Sequence, residues 1–295
     1  MLLTLGLDLG GSALKAAWIL DGAVLASGSV RNTGVPADLD ALVRLAERLR
    51  PEGDLNRVGV AVPGVVDPDR SRLVSAHGKY DYLRGVDLAS WSLDRLGVPC
   101  VVENDARAAL VGELTYGVAV GVRDAVLLVA GTGLGTAATM DGRLVRGRSG
   151  HAGILGGHLT IDRSEQPCNC GNLGCAEVYG GSWSLPPGTT MAEVFGSDPA
   201  PRFVAGAESD PTSSLADRVI QSWAITAVNL CHAYDPSVVI VSGGAVALAG
   251  ARVAEIEPYV HRHLWSSVPR PRVVVADEPA LSVVRGLAAL SRTDK

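Results

Sequence analysis

The stretch Leu5-Gly6-Leu7-Asp8-Leu9-Gly10-Gly11-Ser12-Ala13-Leu14-Lys15 decides the fold, because the chain repeats its plan 120 residues later. Leu2–Leu9 is apolar and strand-like, Gly10-Gly11-Ser12 is a turn, and Ala13–Leu20 is a second strand. Asp21-Gly22 is then a tight hairpin turn into a third strand, residues 23–30. Further on, Ala125–Ala130 is an apolar run, Gly131-Thr132-Gly133 a turn, Leu134–Met140 a strand, and Asp141-Gly142 a second hairpin turn. Setting the two Asp-Gly turns in register places Gly11 on Gly131, Ser12 on Thr132 and Leu14 on Leu134. Either two hairpins coincide, or the chain is an internal duplication.

Helices and strands alternate after each hairpin unit. Residues 37–50 carry a helical apolar period, 58–62 form a short buried strand, 100–103 a strand and 106–116 a helix. In the second half, 214–234 is a long helix, 237–242 a buried strand, and 246–264 mostly helical with Pro258 as its break. A strand at 272–276 and a helix at 282–291 close the chain, and the proline-rich segment 180–210 reads as loop. Strands separated by helices imply a parallel α/β fold. The expected division is residues 1–118 and 119–281, with the last helix, about 282–295, returning to the first domain.

Composition narrows the function classes. A length of 295 residues with 47% hydrophobic and 4% aromatic content implies a core built from Leu, Ile and Val. A net charge of −5 gives no broad basic footprint for nucleic acid. Stretches free of charge reach only 16 residues, short of a membrane span, and no positive leader precedes the first apolar run, so a soluble cytoplasmic protein is expected. The five cysteines are an odd number, and three fall within eight residues, which in a reducing compartment points to metal.

Four constellations carry chemistry. In the first, Asp8 at a strand end precedes Gly10-Gly11-Ser12, with Lys15 beyond. Such a turn either is an ordinary glycine hairpin or aims backbone N–H groups at phosphate, with Asp8 holding Mg²⁺ through water. Gly131-Thr132-Gly133 occupies the equivalent place, so two turns facing one cleft would clamp ATP; Gly243-Gly244 ends a buried strand where open sheets bind ligands. The third constellation, Glu103-Asn104-Asp105, enters a helix. It supplies either helix caps or a base, Asp105, with Asn104 orienting the acceptor. In the fourth, Cys168, Cys170 and Cys175 lie in a glycine-rich loop, and His158 is the natural fourth ligand for a closed, structural Zn²⁺ site.

Together these residues resemble the ROK family of bacterial sugar kinases and related repressors, from Leu5 to about Leu290. The loop from Cys168 to Glu177 matches its C-x-C-G-x-x-G-C-x-E pattern at every fixed position. The resemblance implies the actin-like ATPase fold, a duplicated RNase H-like α/β architecture with two domains closing on ATP and a sugar. It implies Asp105 as base for the sugar's C6 hydroxyl, Asn104 on sugar hydroxyls, and His158 serving zinc and sugar. Glu177 would face the reducing end of the sugar. Residues 8–15 would be the first phosphate motif, 131–135 the second and 239–244 the adenosine motif. It further implies a homodimer. Lys15 would either assist or only pack. The repressor branch carries a DNA-binding domain ahead of Asp8, for which no room is expected here.

One position departs from that family. Its zinc His closes an E-x-G-H motif, whereas here the run is Ala152-Gly153-Ile154-Leu155-Gly156-Gly157-His158. Counting back from His158 or forward from Gly153 puts Leu155 or Ile154 where a sugar-binding carboxylate belongs. Either glucose is retained with His151 or Glu177 compensating, or the acceptor is altered: a deoxy sugar, an amino sugar such as kanosamine, or a cyclitol. Residues 77–82, rich in charge and aromatic rings, are candidates for substitute contacts.

Overall fold

The structure, a computed structural model, describes residues 2–67, 71–75, 78–196 and 214–293. It has two compact units. The first comprises Met1–Gly121, Arg146–Ala152 and Glu278–Lys295; the second comprises Val122–Val145 and Gly153–Asp277.

The first unit runs β1 (Leu2–Leu9), β2 (Ala13–Leu20), β3 (Ala23–Arg31), α1 (Ala37–Arg48), β4 (Asp54–Val62), β5 (Val65–Val66) and β6 (Leu73–Ser75). α2 (Leu88–Leu96), β7 (Cys100–Asn104) and α3 (Asp105–Tyr116) follow. The sheet order is β3-β2-β1-β4-β7, antiparallel on the β3 side of β1 and parallel from β1 to β7. β5 and β6 pair separately as a small ribbon. After Leu2 every residue of β1 is buried, as expected for a strand covered on both faces. Its alternating Leu3, Leu5, Leu7 and Leu9 share a core with Leu42 and Leu45 of α1.

The opposite face belongs to the helix Pro279–Thr293. Glycine admits it: a Cβ on Gly59 of β4 would stand 2.7 Å from the Leu287 Cβ. The same helix lies close against α3, where a Cβ on Gly286 would come within 1.7 Å of the Ala108 carbonyl oxygen. Such closeness anchors α3, whose first residue is Asp105.

The second unit repeats the plan with β8 (Ala125–Ala130), β9 (Leu134–Met140) and β10 (Arg143–Leu144). It continues through α4 (Ala176–Gly180), α5 (Met191–Gly196), α6 (Leu215–Tyr234) and β11 (Val238–Ser242). α7 (Gly244–Ala249), α8 (Ile256–His263) and β12 (Arg272–Val275) complete it, and the closing helix of the first unit is α9. Its sheet order is β10-β9-β8-β11-β12, with the antiparallel and parallel pairings in the same sequence as in the first. The Asp-Gly turns match in backbone as well. Asp21 and Asp141 have φ of 49° and 53°, and Gly22 and Gly142 have φ of 87° and 73°. Two successive left-handed residues are the signature of the type I′ hairpin. The duplication is structural, not coincidental.

Several local expectations needed correction. The break in 246–264 is not at Pro258, which sits in the first turn of α8, where a missing N–H costs little. It falls at Gly250, φ 55°, which ends α7 and opens a 3₁₀ segment, Gly250–Glu255. Within 180–210, Met191–Gly196 is helical, started by Thr190 and Glu193 hydrogen-bonding each other's backbone N–H groups; residues 197–210 lie outside the described residues. No helix among the described residues is long and apolar enough to cross a membrane.

Candidate active site

In the first unit the chemistry gathers at the ends of β1 and β7. Asp8 is buried and lies opposite Lys15 on β2, with Lys15 Nζ 3.5 Å from Asp8 Oδ2. Burial raises the Asp8 carboxyl and Lys15 lowers it, so Lys15 is the counter-charge of Asp8. Asn104 ends β7 and caps α3, its Oδ1 accepting from the Arg107 N–H at 3.1 Å. Its Nδ2 donates to the Gly64 carbonyl at 3.0 Å and to Asp105 Oδ1 at 3.1 Å. Asn104 thus caps the helix and holds Asp105 with the same amide.

Asp105 Oδ1 also accepts from the Ala106 N–H at 2.8 Å. Both of these bonds fall on Oδ1. Burial, and then the negative charge of Asp8, push the Asp105 carboxyl up to about 7. A carboxyl poised there can take a proton near neutral pH. Beneath it, Glu103 is fully buried. It accepts from the Asn104 N–H at 2.9 Å and from Arg146 at 3.1 Å and 2.5 Å, while Arg107 Nη2 donates to the Gly150 and Ala152 carbonyls.

The second unit holds the other turn. Leu134 N–H donates to Glu177 Oε2 at 2.8 Å, and Trp183 Nε1–H donates to Oε1 at 3.0 Å. The N–H groups of Ser182 and Trp183 donate to the carbonyls of Gly131 and Thr132, both at 3.1 Å. A Cβ on Gly133 would meet Glu177 Oε2 at 2.5 Å, so the brace requires glycine there. At Gly131 and Gly244 a Cβ would meet nothing within 4 Å, and neither has left-handed φ. Neither packing nor backbone angle demands glycine at those two positions. Gly243 packs on the end of β8, where a Cβ would stand 2.2 Å from the Ala130 oxygen; the Gly243-Gly244 turn thus adjoins the residue 131–133 turn.

Glu177 follows the cysteine loop by two residues. The ligand atoms of His158, Cys168, Cys170 and Cys175 lie within 4.8 Å of one another. His158 Nδ1 is 3.7 Å from Cys168 Sγ, and Cys170 Sγ is 3.7 Å from Cys175 Sγ. Sulfurs about 2.3 Å from a tetrahedral Zn²⁺ would stand roughly 3.8 Å apart. Burial raises the Cys168 and Cys175 thiols, and the neighbouring thiols raise Cys175 further, so a metal binding there displaces protons. The chemistry and spacing of the four donors fit the ion. Ser222 Oγ–H and Trp223 Nε1–H of α6 donate to the Ala176 and Gly180 carbonyls and hold α4 in place.

At the position that departs from E-x-G-H, Ile154 is buried and Leu155 is 42% exposed. Gly156 and Gly157 are wedged against Thr136 and the Leu134 carbonyl, and the Leu155 carbonyl accepts from the His158 N–H at 2.9 Å. Leu155 is therefore the aliphatic side chain presented on the turn that carries His158. Of residues 77–82, His77 lies outside the described residues, and Tyr80 is buried with its hydroxyl accepting from Asn32 at 3.1 Å. Sequence reasoning missed Asn32, Trp183 and the Glu103–Arg146 pair. Asn32 and Arg146 lie far in sequence from the residues they hold, and Trp183, six residues from Glu177, sits in no recognisable motif.

The sequence profile of the ROK family matches residues 4–294. A glucokinase of Streptomyces coelicolor is 31% identical over 263 residues, covering 82% of each chain. A xylose repressor of Bacillus subtilis is 34% identical over 128 residues, 43% of this chain and 32% of the repressor's length. Among solved structures, a ROK family glucokinase from Streptomyces griseus in complex with glucose and AMPPNP superposes with a TM-score of 0.80 at 25% identity, covering 98% of this chain and 99% of that one. With its profile match spanning nearly every residue and two like-built α/β units, the chain belongs to the ROK family and has that family's actin-like ATPase fold.

Proposed function

We propose that the protein is an ATP-dependent sugar kinase that phosphorylates the C6 hydroxyl of a glucose-like sugar. The observation that carries this reading is Asp105: buried, held by Asn104 and the Ala106 N–H, and raised to about 7. Asp105 takes the proton of the primary hydroxyl through Oδ2. The hydroxyl oxygen bonds to the γ-phosphorus as the β–γ bridging P–O bond breaks, and ADP leaves with that electron pair. Backbone N–H groups of residues 10–12 and 131–133 bind the phosphates, with Gly243 and Gly244 at the adenosine. Asp8, through water, would hold Mg²⁺, which supplies charge neutralisation at the phosphates when bound. His158, Cys168, Cys170 and Cys175 would hold Zn²⁺, which when bound ties the residue 168–175 loop in place beside Glu177. Asn104, His158 and Glu177 bind the sugar.

The acceptor is a modified hexose. The exposure of Leu155 on the turn that carries His158 supports reading it as the aliphatic replacement for the sugar-binding carboxylate, and a hydrogen bond to a charged group is worth ~1.5–3 kcal/mol, or roughly 10- to 150-fold in affinity. Sugar-dependent ADP formation across glucose, 3-amino-3-deoxyglucose, N-acetyl sugars and cyclitols tests the reading. No turnover with any of them sinks the kinase assignment; strong preference for unmodified glucose sinks the altered acceptor alone. Leu155→Glu should improve glucose use relative to the modified sugars.

A further inference from the structure

The first glycine turn is gripped by a side chain that no motif contains. Asn32, at the end of β3, is 3% exposed. Its backbone N–H donates to the Ser12 carbonyl at 3.2 Å and its Nδ2 donates to the Gly10 carbonyl at 2.8 Å. The second Nδ2 hydrogen goes to Tyr80 Oη at 3.1 Å, and Oδ1 accepts from the Gly34 N–H at 2.9 Å. The amide thus has both donors and an acceptor engaged. Its loop is fixed in turn: Asp38 of α1 accepts from the N–H groups of Thr33 and Gly34 and from the Thr33 hydroxyl. Asn32 is therefore a rigid point, not an adaptable one.

The grip has a directional consequence. In a trans peptide the N–H lies opposite the preceding carbonyl. Drawing the Gly10 carbonyl toward Asn32 turns the Gly11 N–H to the other side, and drawing the Ser12 carbonyl does the same for the Ala13 N–H. Donors on that side are what an anion needs. Burial, and then the charges of Asp105 and Asp8, raise the Tyr80 hydroxyl above its ordinary value. Its ring is 5% exposed and sits in the core of the first unit, so the hydroxyl cannot swing away from Asn32 without repacking.

We infer that Asn32 and Tyr80 are positioning residues that set the peptide orientation of the residue 10–12 turn and so govern its affinity for the nucleotide's phosphates. The inference rests on the kinase reading for what the turn binds, and it deepens that reading. It separates two effects that a general loss of stability would merge. A partly unfolded variant loses kcat per milligram and keeps its KM values. A turn with misdirected peptides loses affinity for nucleotide and keeps its affinity for sugar.

The test uses the full chain with Mg²⁺, measuring AMPPNP affinity by calorimetry beside steady-state kinetics. Tyr80→Phe keeps the ring and leaves one Asn32 hydrogen without its acceptor; the expected loss is about 5-fold in AMPPNP affinity and in KM for ATP. Asn32→Ala removes all three side-chain bonds, with an expected loss of roughly 10- to 50-fold, and the double variant should be no worse than Asn32→Ala. The KM for sugar should stay within about twofold, because the residue 10–12 turn binds nucleotide and not sugar, whereas a substitution that only loosens the fold moves neither affinity. Wild-type AMPPNP affinity in both variants overturns the inference, as does no AMPPNP binding by the wild type or an equal rise in both KM values. Sugar-dependent ADP formation by the wild type is the separate measurement on which the kinase reading fails or stands. Tyr80→Phe, which preserves core volume, keeps the test valid if Asn32→Ala does not fold.

Discussion

The two glycine turns occupy equivalent places in a duplicated fold, yet they are held in different ways. Residues 10–12 are gripped through their carbonyls by a neutral amide, Asn32, which belongs to the same β1-β2-β3 unit. Residues 131–133 are gripped through the Leu134 N–H by a carboxylate, Glu177, and through their carbonyls by Ser182 and Trp183. That second brace comes from a segment entered directly from the cysteine loop. The registers differ accordingly: Leu9 pairs with Leu14, whereas Ala130 pairs with Leu134, one residue tighter. A duplication conserves strand order because the sheet core demands it; the turn supports are free to diverge because each is a local hydrogen-bonding problem. In this chain the first turn belongs with Asp8 and Asp105 and the second with the cysteine loop.

The largest effect separates proton transfer from phosphate binding. Asp105→Asn should lower kcat by roughly 10²- to 10⁴-fold while leaving AMPPNP affinity near wild type, read by kinetics and calorimetry. If kcat survives, the first turn has no base beside it and the contrast collapses.

Next in size is the effect of removing the proposed Zn²⁺ from the second turn's support. Chelation, or Cys175→Ser, should expose thiols to a chromogenic disulfide reagent and slacken Glu177. With one or two bonds to a charged group lost, nucleotide affinity should fall roughly 10- to 100-fold. The first turn should be indifferent, so the Asn32→Ala penalty should be the same with and without metal. Elemental analysis finding no zinc in carefully purified protein would remove this half of the comparison.

The glycines themselves give a smaller and cleaner contrast. A Cβ at Gly133 would collide with Glu177 Oε2 at 2.5 Å, whereas at Gly131 nothing lies within 4 Å. Gly133→Ala should lower stability by ~1–3 kcal/mol in a denaturant titration. Gly131→Ala should leave stability unchanged and weaken AMPPNP binding. Equal stability losses would mean that the residue 131 cradle is structural.

The smallest expected change is in pH dependence. Because Asp105 must be ionised to act, kcat/KM should fall about tenfold for each pH unit below its value near 7. The same carboxyl keeps its proton in the folded protein over a range where an unfolded chain has lost it. Its contribution to stability is therefore complete below about pH 4 and is lost as pH rises through about 7. Asp105→Asn should flatten both dependences, and a wild-type profile flat between pH 5 and 8 would mean that burial and Asp8 together do not raise Asp105.

Much of this was legible without coordinates. The hairpin plan, its repetition, the cysteine spacing and the Glu103-Asn104-Asp105 run are local patterns, and each landed on the element its spacing implied. Element ends were read less well where a backbone angle decides them, as at Gly250, or where a short capped helix interrupts a proline-rich stretch, as at Thr190 to Gly196. The supports of the site were not legible at all. Asn32 and Tyr80 are 48 residues apart, and Arg146 and Glu103 are 43 apart, with nothing in either neighbourhood to mark the pairing.

The sequence by itself determined which residues could do chemistry, because reactivity lies in residue type: carboxylates at strand ends, glycines in turns, thiols at ligand spacing. It also determined the α/β plan, because hydrophobic period and turn residues act over a few positions. Tertiary structure alone decided which of two aliphatic residues, Ile154 or Leu155, is presented on the His158 turn. It alone gave Asp105 its raised pKa, since that needs burial and Asp8, a strand from another part of the chain, at close range. And it alone showed that two equivalent turns rest on different supports, because a hydrogen bond is satisfied by whichever partner the fold brings near, whatever its distance in sequence.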